Sequence, residues 1–198
     1  VDVRLIYDDF GCIRRVPFNF KKKLNKKGIE TINFNPFVPR LSTFLNYRDH
    51  RKIVVIDGNI GFTGGVNIAD EYINEYNKLG HWQDSAIMLE GDAVFNLTSL
   101  FLEIWDFSND EYSDLKFYMP SAKSESDGFV QVFGDSPFDK HAITENAYIN
   151  IINNAKEYVY ITTPYLIIDN EMFTALKVCA ASGVDVRIIT PHIPDKKT

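Results

Sequence analysis

His50, Lys52 and Asp57 are spaced H-x-K-x4-D along the run His50-Arg51-Lys52-Ile53-Val54-Val55-Ile56-Asp57, and Gly64-Gly65-Val66-Asn67 follows. Alternate residues of a strand share a face, so His50 and Lys52 are expected to point the same way. An imidazole beside an ammonium suits attack on a phosphodiester. The ring nitrogen attacks phosphorus while the cation neutralises the phosphoryl oxygens. A lysine in an apolar strand is costly unless it lines a site or reaches water, which supports a functional role for Lys52. Asp57 falls on the opposite face by the same alternation. Its role divides between direct chemistry and a turn-forming acceptor at Asp57-Gly58. Asn67 is expected to open a helix after Gly64-Gly65. Its side chain and the amides around Gly65 suit a phosphate oxygen there.

Those residues need a frame. The patterning predicts strands at 3–8, 30–35, 47–56, 59–63, 84–90, 129–134, 158–163 and 185–190. It predicts helices near 18–27, 66–76, 92–106, 140–155 and 170–182. Asp57-Gly58 between two apolar strands is a hairpin signal. Gly28 and Gly183 follow helical patterns as C-terminal caps. Val94, Leu97, Phe101 and Ile104 form a helical stripe. Strands alternating with helices imply an α/β fold with a mixed sheet.

A weak internal repeat runs at an offset of 155: Lys27-Gly28-Ile29-Glu30 through Pro36 aligns without gaps on Ser182-Gly183-Val184-Asp185 through Pro191. The expected organisation is a motif-bearing half at 1–110, a linker at 111–128 within a stretch rich in Ser, Asp and Lys, and the opening of a second half at 129–198. The same offset puts a second catalytic histidine beyond Thr198. The chain therefore reads as an excised piece of a longer protein that begins without its first helix.

Composition narrows the class. A chain of 198 residues, 45% of them apolar, can bury one large core or two small ones. A net charge of −6 argues against a nucleic-acid partner. Cys12 and Cys179 lie far apart, and Cys179 sits among apolar helix residues, so a reducing compartment is expected. No apolar run approaches the roughly 20 residues that span a bilayer. No Cys/His cluster has zinc spacing and no carboxylate cluster resembles a calcium loop, so no metal is expected. His81 neighbours Trp82 and suits a cleft, whereas His141 and His192 read as solvated. The cluster Lys21-Lys22-Lys23 with Lys26-Lys27 reads first as a solvated helix face, with contact to anionic lipid headgroups as the sharper alternative.

The whole pattern H-x-K-x4-D-x6-G-G-x-N resembles the signature of the phospholipase D superfamily. The flanking text Leu45-Asn46-Tyr47-Arg48-Asp49-His50-Arg51-Lys52, Gly61-Phe62-Thr63-Gly64-Gly65-Val66-Asn67-Ile68 and Asp70-Glu71-Tyr72 is similar to the bacterial cardiolipin synthase family. So are Thr163-Pro164-Tyr165 and Gly183-Val184-Asp185-Val186-Arg187. The resemblance implies a phospholipase D-like α-β-α sandwich, with helices on both faces of the sheet. It implies phosphatidyl transfer between two phosphatidylglycerol molecules, giving cardiolipin and glycerol, with His50 as nucleophile through a phosphohistidine. A second histidine from the other half of the same protein would act as acid and base, and neither metal nor cofactor is called for. Hydrolysis by a phospholipase D or a phosphodiesterase nuclease stays open, as does a silent phospholipid-binding domain. The implied setting is the cytoplasmic side of a bacterial cell membrane, in a longer anchored protein, with this piece itself soluble. The superfamily places an acidic orienter about thirty residues after its histidine, and Asp84 fits, against the plainer reading of Asp84 as a cap. Two departures stand out: Gln83 where the family has Arg, and Gly65 where it more often has Ser.

Overall fold

The computed structural model describes residues 1–37, 48–77, 80–125, 128–135 and 140–192. The chain is α/β, and among the described residues parallel and antiparallel pairings are distributed over three small sheets. It divides into two units. The first comprises Val1–Glu75 and Gln83–Val132, the second Tyr76–Trp82 and Phe133–Thr198.

In the first unit, β1 (Val3–Asp8) and β2 (Ile29–Phe34) pair in parallel from Val3 opposite Ile29 to Asp8 opposite Phe34. Between them lie a single turn, α1 (Asp9–Cys12), and the short helix α2 (Phe20–Asn25). Asp8 caps α1 by accepting the Gly11 N–H at 2.8 Å. Gly28 ends the α2 segment at φ 81°, where a side chain would be strained.

The second sheet is an antiparallel meander of β3 (Ile53–Ile56), β4 (Ile60–Gly64) and β5 (Ala86–Glu90). Helix α3 (Val94–Asn109) packs on β2, β3 and β4 and so joins the two sheets. Its buried stripe of Val94, Leu97, Leu102 and Trp105, with Ile32 of β2, is the core of this unit. Gly61 is what lets the helix approach β4, because a Cβ there would lie 2.7 Å from Leu97 Cδ1. Arg4 ties β1 to the same region. Its guanidinium stacks on Trp105 and donates to the Tyr118 hydroxyl at 3.0 Å.

The second unit repeats the parallel arrangement. β6 (Tyr158–Thr162) pairs with β7 (Asp185–Ile189), and α5 (Asn170–Ala181) crosses between them, with α4 (Ile143–Asn154) packed on α5. Tyr158 faces Asp185, one residue further along than the 155-residue offset gives. Ile152, Ala175, Leu176, Cys179 and Val184 form its core.

Three predicted elements come out differently. The strand expected over 47–56 is regular only from Ile53, and Tyr47 lies outside the described residues, as do Leu45 and Asn46. The partner strand β4 ends at Gly64, so residues 50 and 51 have no ladder to join. The helix expected over 66–76 is one 3-10 turn, Asp70–Ile73. Ala69 before it is extended, and Asn74 after it turns left-handed at φ 61°. Residues 129–134 form no strand. Phe129 and Val130 are exposed, and residues 129–134 join none of the described sheets.

Candidate functional site

His50 lies on an irregular segment just before β3, and that segment is pinned from one side. Arg48 reaches the ends of the parallel strands, donating to the Asn35 carbonyl at 3.1 Å and lying 3.6 Å from Asp8 Oδ1. Its guanidinium also sits 4.8 Å from the centre of the Phe10 ring. The Asp49 N–H donates to Asp8 Oδ2 at 3.3 Å. Asp8 therefore caps α1 with one oxygen and holds the histidine segment with both. Asp49 then receives Arg51 in a fork, at 3.0 and 2.9 Å, together with the Arg51 N–H at 3.0 Å. A bidentate fork fixes direction as well as charge. These contacts replace the missing strand ladder and leave His50 exposed.

The shared face expected from strand alternation does not apply to His50 and Lys52, since neither is in the strand. The contact between these residues runs through the backbone of His50. The Lys52 ammonium doubles back and donates to the His50 carbonyl at 2.6 Å. Burial pushes the Lys52 pKa down, and the carboxylates of Asp49 and Asp84 only partly oppose this. Asp49 behaves in the opposite sense. Burial pushes its carboxyl up, but the Arg51 hydrogen bonds and charge outweigh it and hold the group below the usual carboxylate range. Arg51 is raised in turn, chiefly by its bonds to Asp49.

Asp57 sits at the tip of the β3–β4 hairpin with φ 52°, followed by Gly58 at φ 68°. Two left-handed residues closed by the Asn59 N–H to Ile56 carbonyl bond at 3.0 Å make the tight turn that suits the twist of the strands. Asn59 also donates from its side chain to the Asp57 carbonyl at 3.0 Å. Asp57 lies at the far end of β3 from His50, in the turn-forming role.

Gly64, Gly65 and Asp84 meet where β4 and β5 converge. A Cβ on Gly64 would fall 2.4 Å from the Ser85 carbonyl oxygen and 2.7 Å from Ala86 Cα. A Cβ on Gly65 would fall 2.2 Å from Asp84 Oδ1. The Asp84 carboxylate occupies the space a serine would fill, steadied by the Ser85 N–H at 2.8 Å. Asp84 thus borders Gly65 and acts electrostatically on Lys52. Asn67 opens no helix, contrary to expectation. Its side-chain amide donates to the Tyr72 hydroxyl.

Sequence reasoning missed the anchoring set of Asp8, Arg48, Asp49 and Arg51. The available signal was an unbroken charged run, Arg48-Asp49-His50-Arg51-Lys52, which a half-buried strand does not carry. Of the thiols, Cys12 is pushed up by burial and then by Asp8 and Asp9, and Cys179 is core. Among the described residues, Glu145, Asp169 and Glu171 are the one group of three ligand-type side chains within 4.8 Å of each other. They stand at helix starts in the second unit, largely exposed. No described helix is long and apolar enough to cross a membrane.

Comparison with known proteins bears on this geometry. Residues 148–198 match the family described as "Cardiolipin synthase, PLD-like domain". All of the chain aligns at 36% identity with 40% of a cardiolipin synthase of Alkalihalophilus pseudofirmus. It aligns over its whole length at 40% identity with 39% of a cardiolipin synthase 2 of Bacillus cereus. The resemblance to bacterial cardiolipin synthases, seen first in the motifs, extends over the entire chain. An uncharacterised protein of Streptococcus mutans is 47% identical, with 43% of its length covered. The chain spans about two-fifths of the length of the curated relatives it matches.

Proposed function

We propose that this chain supplies the nucleophilic half of a cardiolipin synthase-type phosphatidyltransferase. The observation that carries the reading is an exposed His50 held on an anchored segment beside Lys52, in a chain similar throughout to proteins named cardiolipin synthase. An imidazole nitrogen of His50 attacks the phosphorus of phosphatidylglycerol. The bond from phosphorus to glycerol breaks, and the departing oxygen takes a proton from a histidine of a second catalytic half. The phosphatidyl group rests on His50. The second histidine then removes a proton from the hydroxyl of another phosphatidylglycerol, which attacks phosphorus and releases His50, giving cardiolipin.

Lys52 swings from the His50 carbonyl to the phosphoryl oxygens. Partial burial pushes its pKa down, and an incoming anion would offset that. Asp84 offsets part of that burial and is the candidate to orient His50. Gly65 provides room for its carboxylate. Asn67 is the remaining candidate for a phosphate oxygen, since the Gly65 N–H, expected to share that role, donates to the Ser85 carbonyl at 3.1 Å. The substrate is an anionic phospholipid at a membrane surface.

The test joins the chain to the half bearing the second histidine and supplies phosphatidylglycerol vesicles. Cardiolipin and glycerol are expected in equal amounts. In His50→Ala the rate should fall on the order of 10³-fold or more, and in Lys52→Ala by about 10²–10³-fold. Free phosphatidic acid in place of cardiolipin would assign hydrolysis instead. Activity of His50→Ala within tenfold of the parent, on the order of one unit of log rate, would remove His50 from the mechanism.

A further inference from the structure

Residues 10–28 contain Arg14, Arg15 and five lysines, Lys21, Lys22, Lys23, Lys26 and Lys27, and no Asp or Glu. Seven positive charges set against a whole-chain net of −6 leave −13 for all the other residues together. The segment is a cationic island on an acidic protein. Its structure turns the charges outward. Phe20 and Leu24, one helical turn apart, are half-buried, and Phe20 meets the Tyr7 ring edge-on at 5.7 Å. Asn25 accepts the Thr31 N–H at 3.0 Å and so fixes α2 to β2. With that face held, all seven cations are exposed. Arg15 pairs with Glu71 at 3.2 Å, and the other six make no ion pair among the described residues.

A solvated helix face would carry charge alone. This one also carries exposed apolar groups. Phe18 is fully exposed, and Phe10 and Ile13 are about half and one-third exposed. Two surface depressions join the two kinds of group. One is lined by Phe18, Lys21, Lys22, Asn25 and Lys26, the other by Phe10, Gly11, Ile13, Arg14, Arg15 and Phe37. Aromatic and aliphatic groups among cations match the boundary of an anionic bilayer, where phosphates lie beside acyl chains. A nucleic acid is also anionic but offers no acyl layer to Phe18.

We propose that residues 10–27 are an interfacial docking surface that seats the protein on an anionic lipid bilayer, with Phe18 inserted and the lysines on headgroup phosphates. This stands independently of the roles given to His50 and Lys52. It would hold for a catalytically silent chain.

The experiment is sedimentation of the chain with phosphatidylcholine vesicles, with and without one-third phosphatidylglycerol. Binding is expected only with the anionic lipid, and it should be released in about 1 M salt, where the Debye length is about 3 Å. Each basic residue near an anionic surface raises partitioning about fivefold. Lys21→Gln, Lys22→Gln and Lys26→Gln together should therefore weaken binding about a hundredfold. These residues are exposed, so the fold should hold, as circular dichroism would verify. Phe18→Ser should weaken binding and make what remains more sensitive to salt. Four results would overturn the proposal: equal binding to neutral vesicles, salt-insensitive binding, a triple variant within threefold of the parent, or a duplex oligonucleotide that binds the segment more tightly than vesicles do.

Discussion

Two adjacent glycines divide their work between the fold and the chemistry. At Gly64 the obstacle to a side chain is backbone, the Ser85 carbonyl and Ala86 Cα, which cannot step aside without parting β4 from β5. At Gly65 the obstacle is the Asp84 carboxylate, which can. Gly64→Ala should therefore cost about 1–3 kcal/mol of stability, as overpacking does, and this is measured by denaturant unfolding. Gly65→Ala should cost less stability and more activity, because it drives the Asp84 carboxylate away from Lys52. Equal loss of stability in both variants would contradict this division. The Ser usual at the position of Gly65 in the wider superfamily would meet the same obstacle, so Gly65 and Asp84 are matched to each other here. None of that pairing was legible in sequence, which shows Gly65 and Asp84 as separate motif residues. Asp57 was legible in both its readings, and the turn reading is the one its geometry supports. A left-handed Ala is worse than Asp or Asn and much worse than Gly. Asp57→Ala should lower stability by about 1 kcal/mol, whereas Asp57→Gly and Asp57→Asn should lower both stability and activity little. Loss of activity in all three at unchanged stability would return Asp57 to direct chemistry.

The element that matters most is one with no regular structure. The histidine segment is shaped by Asp8, at the end of β1, and by the Asp49–Arg51 fork. Because Asp49 is held below its ordinary pKa, it contributes stability that is present above about pH 4 and is lost as the pH falls through its lowered value. Thermal unfolding of the parent should therefore lose ground more steeply below about pH 4 than that of Asp49→Asn, which is less stable near neutrality and flatter in acid. Parallel profiles would mean that the fork holds nothing. The same comparison shows why sequence reading worked where it did. The strands at 3–8 and 158–163 and the helices over 92–106, 140–155 and 170–182 carry strong apolar periodicity with caps or turns at their ends, and each is found within a few residues. The strand expected over 47–56 is shorter because its apolar run begins only at Ile53, after the unbroken charged run Arg48–Lys52. The helix expected over 66–76 is cut to one turn because Ala69 is extended before it and Asn74 turns left-handed after it.

At the scale of the molecule, one histidine–lysine pair in a chain covering two-fifths of its relatives sets a limit on what it can do alone. Transfer between two phosphatidylglycerols calls for a second histidine to protonate glycerol, so the isolated monomer should form little or no cardiolipin. A phosphatidyl ester of nitrophenol removes that need, because its leaving group departs without a proton. Mixing the chain with this ester should release nitrophenolate in one burst, stoichiometric with protein. An alkaline quench and mass mapping should then find the phosphatidyl group on the peptide containing His50. His50→Ala should give no burst and no adduct. A burst of the same size from His50→Ala, or a label carried by any other residue, would contradict the assignment of His50 as the nucleophile.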